Sequence, residues 1–313
     1  MLGADGTHQG DLRGVRGHAD GPVGMSEVIE RTETLLPGPA QALGALLDVP
    51  VPDLDGGVGL PLLWHWIYLL ERPAQADLGP DGHPVRGTIP APPEPGRRRM
   101  WAGGRVRASA PLRCGEPATR RSRVQSVEDK LGRSGPLTFC VVHHQIWQRG
   151  RVVIDELQDI VYRAAVSPAG QPAAAWEGQE IPPAEGERAI EVSPTLLFRF
   201  SALTYNAHRI HYDRDYARDV EGYPGLLTHG PLQALAMTEA ARAADGDRRD
   251  DAVLSFEYKL VSPLFDFQGL VASASAAPDA ITTRVRDLRG RTTATGTLRG
   301  GPDSGARYGS AEP

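Results

Sequence analysis

Two strand-like apolar runs joined by one tight turn constrain this chain more than any other feature. Residues 138–147 and 152–162 are each rich in branched and aromatic side chains, and Gln148-Arg149-Gly150-Arg151 lies between them. A glycine-bearing turn between two such runs reads as a β-hairpin, so the strands pair antiparallel. Residues 105–108 and 119–124 alternate at the strand period of two. Ahead of them, residues 39–47 have the Ala/Leu spacing of a short helix opened by proline. Residues 60–70 are nearly all apolar, the pattern of a buried helix. A helix laid against antiparallel strands is an α+β layer arrangement.

The 313 residues suit two domains of ordinary size. The second half repeats the plan of the first: a strand at 196–200, a polar block, a helix from about 231 to 244 and a polar turn near 245–251. Strands follow near 253–260, 270–276, 281–287 and 292–298. Between the halves, residues 164–187 are rich in Ala, Pro, Gly and Glu and read as a linker. No internal sequence identity accompanies the repeat, which rests on architecture alone. Residues 72–99 hold seven prolines and read as a loop, a candidate lid, ending in Arg97-Arg98-Arg99.

Charge and cysteine content exclude several classes. Net charge is −5, from 34 basic and 39 acidic residues, which gives no attraction to nucleic acid or an anionic membrane. No apolar run reaches the length needed to cross a bilayer. Cys114 and Cys140 form no C-x-x-C, and a cytoplasmic, thiol-reduced protein is the expectation. His143 and His144 read as strand residues, one on each face, because no spaced Cys or Asp completes a metal site. Gly56-Gly57 and Gly103-Gly104 lack the spacing of a phosphate or dinucleotide loop.

The chemistry concentrates later. Phe200-Ser201-Ala202-Leu203-Thr204-Tyr205-Asn206-Ala207-His208-Arg209-Ile210-His211-Tyr212-Asp213 packs an amide, two imidazoles, a guanidinium and a carboxylate behind an apolar run. Pro224-Gly225-Leu226-Leu227-Thr228-His229-Gly230-Pro231 follows as a turn that opens a helix. An imidazole titrates near neutral pH and suits general acid/base work. On a regular helix Asn206 and His211 diverge by about 140°. They converge only if the chain bends between them, whereas His208 and His211 share a face if their stretch is helical.

This block resembles the hydratase motif of the MaoC-like, (R)-specific enoyl-CoA hydratase family. It is similar to the branch holding mesaconyl-C4-CoA or itaconyl-CoA hydratases and mitochondrial-type 3-hydroxyacyl-thioester dehydratases. The resemblance covers most of residues 25–300, with specific motifs only between about 198 and 232. It implies a tandem, double hot-dog fold, each unit an antiparallel sheet wrapped around a central helix. It also implies a hydro-lyase that adds water to an enoyl thioester, and the branch it resembles implies one with a branched dicarboxylic acyl group. Residues 25–163 form a non-catalytic unit in that reading, and residues 188–300 the catalytic one.

The implied catalytic residues are Asn206, His211 and Gly230. Asn206 stands where the family usually has a carboxylate, and an amide cannot take a proton, so His211 carries more of the proton traffic. Gly230 at a helix start resembles the family's oxyanion hole. His208, Arg209, Asp213, Arg214 and His229 are the candidate substrate-binding residues. Asp213 or His208 would orient His211, and Arg209 or Arg214 would pair with a distal carboxylate or else lie exposed. Arg97-Arg98-Arg99 is either a solvated edge or a contact for the phosphates of CoA. No metal and no cofactor are implied; the substrate is carried on CoA or acyl carrier protein, and a homodimer is an open expectation. A hot-dog thioesterase and a non-catalytic acyl-binding protein are the alternatives. Met25 opens a segment that looks like the family's usual start, so residues 1–24, seven glycines among five histidine or acidic side chains, are expected to be an unordered or spurious extension. Residues 301–313 are expected to be a polar tail.

Overall fold

The computed structural model describes residues 27–93, 96–132, 135–164, 178–245 and 253–300. The expected extension at 1–24, most of the expected linker, the polar turn after 245 and the tail at 301–313 lie outside the described residues. The first half consists of β1 (Ile29–Thr34), α1 (Pro37–Leu47), β2 (Arg97–Ala108), β3 (Pro117–Gly132), β4 (Gly135–Gln148) and β5 (Arg151–Ala164). The second consists of β6 (Arg188–Ile190), α2 (Pro194–Leu203), α3 (Gly230–Asp245), β7 (Leu254–Leu260), β8 (Leu270–Ala277), β9 (Ala280–Arg286) and β10 (Thr292–Gly300).

All ten strands join one antiparallel sheet in the order β1-β3-β4-β5-β2-β7-β10-β9-β8-β6. Read inward from either edge, each half runs first, third, fourth, fifth and second strand, so the two halves share one topology. They meet where β2 pairs with β7, from Gly103 opposite Lys259 to Ala108 opposite Leu254. The long hairpin expected from residues 138–162 is β4–β5, which turns at Arg149 and Gly150, both at positive φ. Burial in β4 alternates strictly, with Cys140, Val142, His144 and Ile146 inside. His143 and His144 accordingly take opposite faces: His143 meets Asp155, and His144 meets Ser122.

The second half wraps its sheet around α3. Leu232, Ala234, Leu235, Ala236 and Met237 are wholly buried there. A helix enclosed on all sides keeps its polar groups only if each finds a partner. Gln233 Oε1 accepts from Thr293 Oγ1 at 2.7 Å, and Glu239 Oε1 accepts from Trp64 Nε1 at 2.8 Å.

Three local expectations are corrected. Residues 60–70 form no α-helix; they contain one 3₁₀ turn, Trp64–Ile67, with Leu63 and Leu69 at φ 70° and 54°. Tertiary hydrogen bonds override the apolar pattern: Trp64 reaches Glu239, while His65 Nε2 and Trp66 Nε1 both bind the buried Glu156 at 2.9 and 2.8 Å. The first half therefore has no counterpart of α3 among the described residues. Residues 196–200, read as a strand, belong to α2, which starts with Ser193 accepting from the Leu196 N–H and Pro194 in the first turn. Arg97-Arg98-Arg99 is the start of β2, not the end of a loop.

Candidate active site

The polar block sits on the bend that follows α2. Thr204 caps the helix, Tyr205 takes a left-handed φ of 52°, and the Asn206 N–H bonds back to Ser201 O at 2.8 Å. Asn206 Oδ1 then accepts from the His208 N–H at 2.9 Å, an Asx turn that redirects the chain. A 3₁₀ turn, Arg209–His211, follows. Residues three apart eclipse in such a turn, and the His208 and His211 rings meet edge to face at 5.4 Å. The bend that the spacing demanded is present.

Four imidazoles form a ladder through this bend. His83 lies 3.9 Å from His208, His208 lies 5.4 Å from His211, and His211 stacks on His229 at 3.6 Å. At one end His229 Nε2 bonds Ser201 Oγ at 2.9 Å; at the other His83 Nδ1 bonds Asp81 Oδ2 at 2.9 Å. His211 Nδ1 lies 2.7 Å from Leu227 O. A carbonyl only accepts, so Nδ1 carries the proton and Nε2 keeps its lone pair. Burial lowers the His211 pKa to about 4, against the raising effect of the Leu227 carbonyl and with a further lowering from His83. Burial also depresses His208, followed by the charges of His83, His211 and Arg99, and it depresses His229, followed by His211. At neutral pH the ladder is uncharged, with a base available at Nε2 of His211.

Gly230 opens α3 beside the stacked pair. A Cβ there would meet Leu260 Cδ1 at 2.2 Å, so glycine lets the end of the Leu260 side chain of β7 lie against the start of α3. Pro231 has no N–H to offer, and the N–H of Gly230 finds no backbone partner among the described residues. That donor, at the positive end of a sixteen-residue helix, suits a developing oxyanion. Thr228 Oγ1 and His229 Nδ1 are buried without a protein partner among the described residues, as polar atoms facing a substrate would be.

Not every expected residue joins the site. Asp213 does not orient His211. It binds Arg209 Nε and Nη2 at 3.1 and 2.7 Å and accepts from the Tyr216 N–H, because residues four apart on this turn face each other. The Leu227 carbonyl orients His211 instead. Arg209 is further tied to Pro80 O and lies over the Tyr216 ring at 4.1 Å. Arg214 pairs with Asp266 at 2.5 Å. Both arginines already pair with a carboxylate within the chain and stay partly exposed, which fits the alternative reading of them as exposed arginines.

The sequence reading missed Asp81, His83, Ser201 and Leu227. The turn at 79–83 docks on the polar block through Asp81 O, which accepts from the Arg209 N–H at 2.9 Å. Gly82, at φ 88°, lets the two segments touch, since a Cβ would lie 1.8 Å from Ala207 O. The Asp-Gly-His triplet inside a proline-rich loop was the available signal. Asp81, His83 and His208 also place three ligand atoms within 4.8 Å of one another. A cation there would compete with the Asp81–His83 bond and with the positive charge of Arg99, which acts on both residues.

A buried, correctly tautomeric histidine beside a glycine-started helix, in a sheet of two like halves, defines a double hot-dog hydro-lyase. The comparisons agree. The family model for hydroxyacyl-thioester dehydratase type 2 matches residues 63–266. Mesaconyl-C(4)-CoA hydratase of Chloroflexus aurantiacus is 41% identical over 88% of this chain and 95% of that protein. A MaoC-like dehydratase from Phytophthora capsici superposes with a TM-score of 0.64 at 17% identity, over 89% of this chain and 97% of that one. A Mycobacterium tuberculosis protein described as a double hot-dog fold superposes at 0.54 and 15% identity, over 89% of this chain and 96% of that one. The chain belongs to the hydroxyacyl-thioester dehydratase type 2 family and is an enzyme that hydrates enoyl thioesters or dehydrates their 3-hydroxy products.

Proposed function

We propose that the substrate is a branched, dicarboxylic enoyl-CoA of the mesaconyl-C4-CoA type. The single observation that carries the chemistry is His211, its Nδ1 tied to Leu227 O and its stacked neighbour His229 leading straight into Gly230. In the hydration direction the Asn206 amide donates to a water, and His211 Nε2 takes one of its protons. The oxygen bonds to the β-carbon while the double bond's electrons move onto the thioester oxygen, which the Gly230 N–H holds. His211 then returns its proton to the α-carbon. One H and one OH have been added, and no cofactor enters. The dicarboxylic acyl group is supported by the 41% identity to the Chloroflexus aurantiacus hydratase.

The test is turnover of crotonyl-CoA, mesaconyl-C4-CoA and itaconyl-CoA, followed by enoyl absorbance with free thiol measured in parallel. Reversible loss of absorbance without thiol release is expected, with mesaconyl-C4-CoA the best of the three. Thiol release would make the chain a thioesterase, a reading weakened because the His211 ring bonds Leu227 O and no carboxylate among the described residues. Turnover of crotonyl-CoA alone would end the dicarboxylic assignment.

A further inference from the structure

The three arginines that open β2 have separate fates. Arg97 is directed outward to Pro136 O and Thr138 Oγ1. Arg98 pairs with Glu221 at 2.6 Å, both side chains nearly buried. Arg99 forms no direct ion pair with a carboxylate among the described residues, although its charge acts on Asp81. Its Nη2 donates to Pro90 O at 2.8 Å, its guanidinium lies 5.9 Å from the Tyr162 ring centroid, and its Nε is buried with no partner. The acid nearest to it in effect, Asp81, feels its charge but is hydrogen-bonded to His83, so a further anion at this half-buried guanidinium would add a direct counter-charge.

Its position relates it to the site. Trp101, two residues further on, has its Cβ 3.8 Å from where a Gly230 Cβ would stand. Side chains two apart on a strand share a face, so Arg99 is rooted on the face of Trp101, roughly 7 Å along the strand from it. Beneath it lies an apolar floor of Cys140, Ile160 and Tyr162, against which Trp101 and Ile89 pack. Its far side is the loop that carries His83. Asp81, the acid whose charge Arg99 influences, spends its oxygens on the His83 ring and backbone N–H.

We propose that Arg99 is the receptor for the distal carboxylate of the acyl group, working across the apolar floor from the Gly230 N–H. In a four-carbon enoyl diacid the two carboxyl carbons stand about as far apart as consecutive Cα atoms across a trans peptide, about 3.8 Å. With the thioester oxygen on Gly230, the free carboxylate lies within reach of a guanidinium rooted at Arg99. Pairing would satisfy the orphaned Nε and hold the β-carbon beside His211. The arginine run expected to form a surface edge or to touch CoA phosphates thus contributes one member to acyl selection. Arg209 and Arg214, paired with Asp213 and Asp266, do not select.

This inference rests on the dicarboxylic reading above, and one experiment separates the two. Specificity constants for mesaconyl-C4-CoA and crotonyl-CoA are measured for the unmodified enzyme, R99Q, R99K and R214Q, with thermal midpoints recorded for each. A charge-assisted hydrogen bond is worth about 1.5–3 kcal/mol, so R99Q is expected to lower the mesaconyl-to-crotonyl ratio about ten- to hundredfold. R99K is expected to recover part of that ratio, and R214Q to leave it unchanged. If R99Q depresses both substrates equally, or if R214Q moves the ratio instead, Arg99 is not the receptor while the dicarboxylic reading stands. If the unmodified enzyme hydrates crotonyl-CoA but not mesaconyl-C4-CoA, the dicarboxylic reading and this inference both fall. Should R99Q not fold, R99K decides: a mesaconyl-to-crotonyl ratio lowered by a selective loss on mesaconyl-C4-CoA supports Arg99, and an unmoved ratio, with or without an equal fall on both substrates, rejects it.

Discussion

The imidazoles of His211 and His229 stack with centroids 3.6 Å apart and planes 18° from parallel. Two cations cannot occupy such a stack in a buried setting, so the pair holds at most one proton at a time. Leu227 O fixes which nitrogen of His211 is free, and Ser201 holds the His229 ring in place. The stack thus keeps a neutral base at neutral pH while leaving room for one transient proton, as an addition of water requires.

His211→Ala is expected to lower kcat by a factor on the order of 10² to 10⁴, the usual weight of a general acid/base. The thermal midpoint serves as the check on folding. A variant with near-normal turnover would remove His211 from the mechanism.

The depressed histidines set a pH response whose sign is fixed. His211 and His144 titrate near 6.5 when unfolded and about 4 when folded, because burial disfavours their charged forms. Between those values the unfolded chain binds more protons, so their stabilising contribution is complete above about pH 6.5 and falls away toward pH 4. Thermal midpoints measured from pH 7.5 to 4 should decline with decreasing pH, and kcat/KM should hold level around neutrality before dropping near pH 4. A midpoint that rises on acidification would contradict the buried, neutral ladder.

Asn206 has its oxygen committed to the His208 N–H at 2.9 Å, which leaves its NH₂ to face water. Asn206→Asp keeps the acceptor and loses the donor. The variant should fold normally and bind substrate with little change in KM, while kcat falls about tenfold or more. Undiminished kcat would mean that a carboxylate serves as well as the amide.

Gly82→Ala strikes the docking of the His83 turn, since φ is 88° and the new Cβ would meet Ala207 O at 1.8 Å. Displacing His83 and the chain beneath Asn206 should cost about ten- to hundredfold in kcat/KM. Gly57→Ala is the control, because Gly57 has a similar φ of 84° but nothing within 4 Å of its Cβ position. Equal effects from both would reduce the Gly82 result to backbone strain alone.

Removal of divalent cations is the check on the Asp81, His83 and His208 cluster. Dialysis against a chelator should leave both the rate and the thermal midpoint unchanged, because the proposed hydration uses imidazole, amide and backbone donors only. Loss of rate restored by one added metal would assign that cluster a catalytic ion.

The sequence by itself determined the local features that need only neighbours along the chain. Branched and aromatic runs about a glycine-bearing turn specified β4, β5 and their hairpin, and the polar block specified a bend, with His208 and His211 on one face once their stretch was helical. Glycine before proline specified the start of α3. Each of these follows from backbone geometry over a few residues. Only the tertiary structure decided what contacts across 30 to 175 residues decide. The apolar stretch at 60–70 became irregular because Glu156 and Glu239, distant in sequence, claimed its indoles and imidazole. Arg214 found its carboxylate in Asp266, 52 residues on, while His83 and Arg99 arrived at the site from the first half. Ion pairing and hydrogen bonding between remote segments leave no period in the sequence, so the partners of a charged side chain become visible only once the sheet has brought them together.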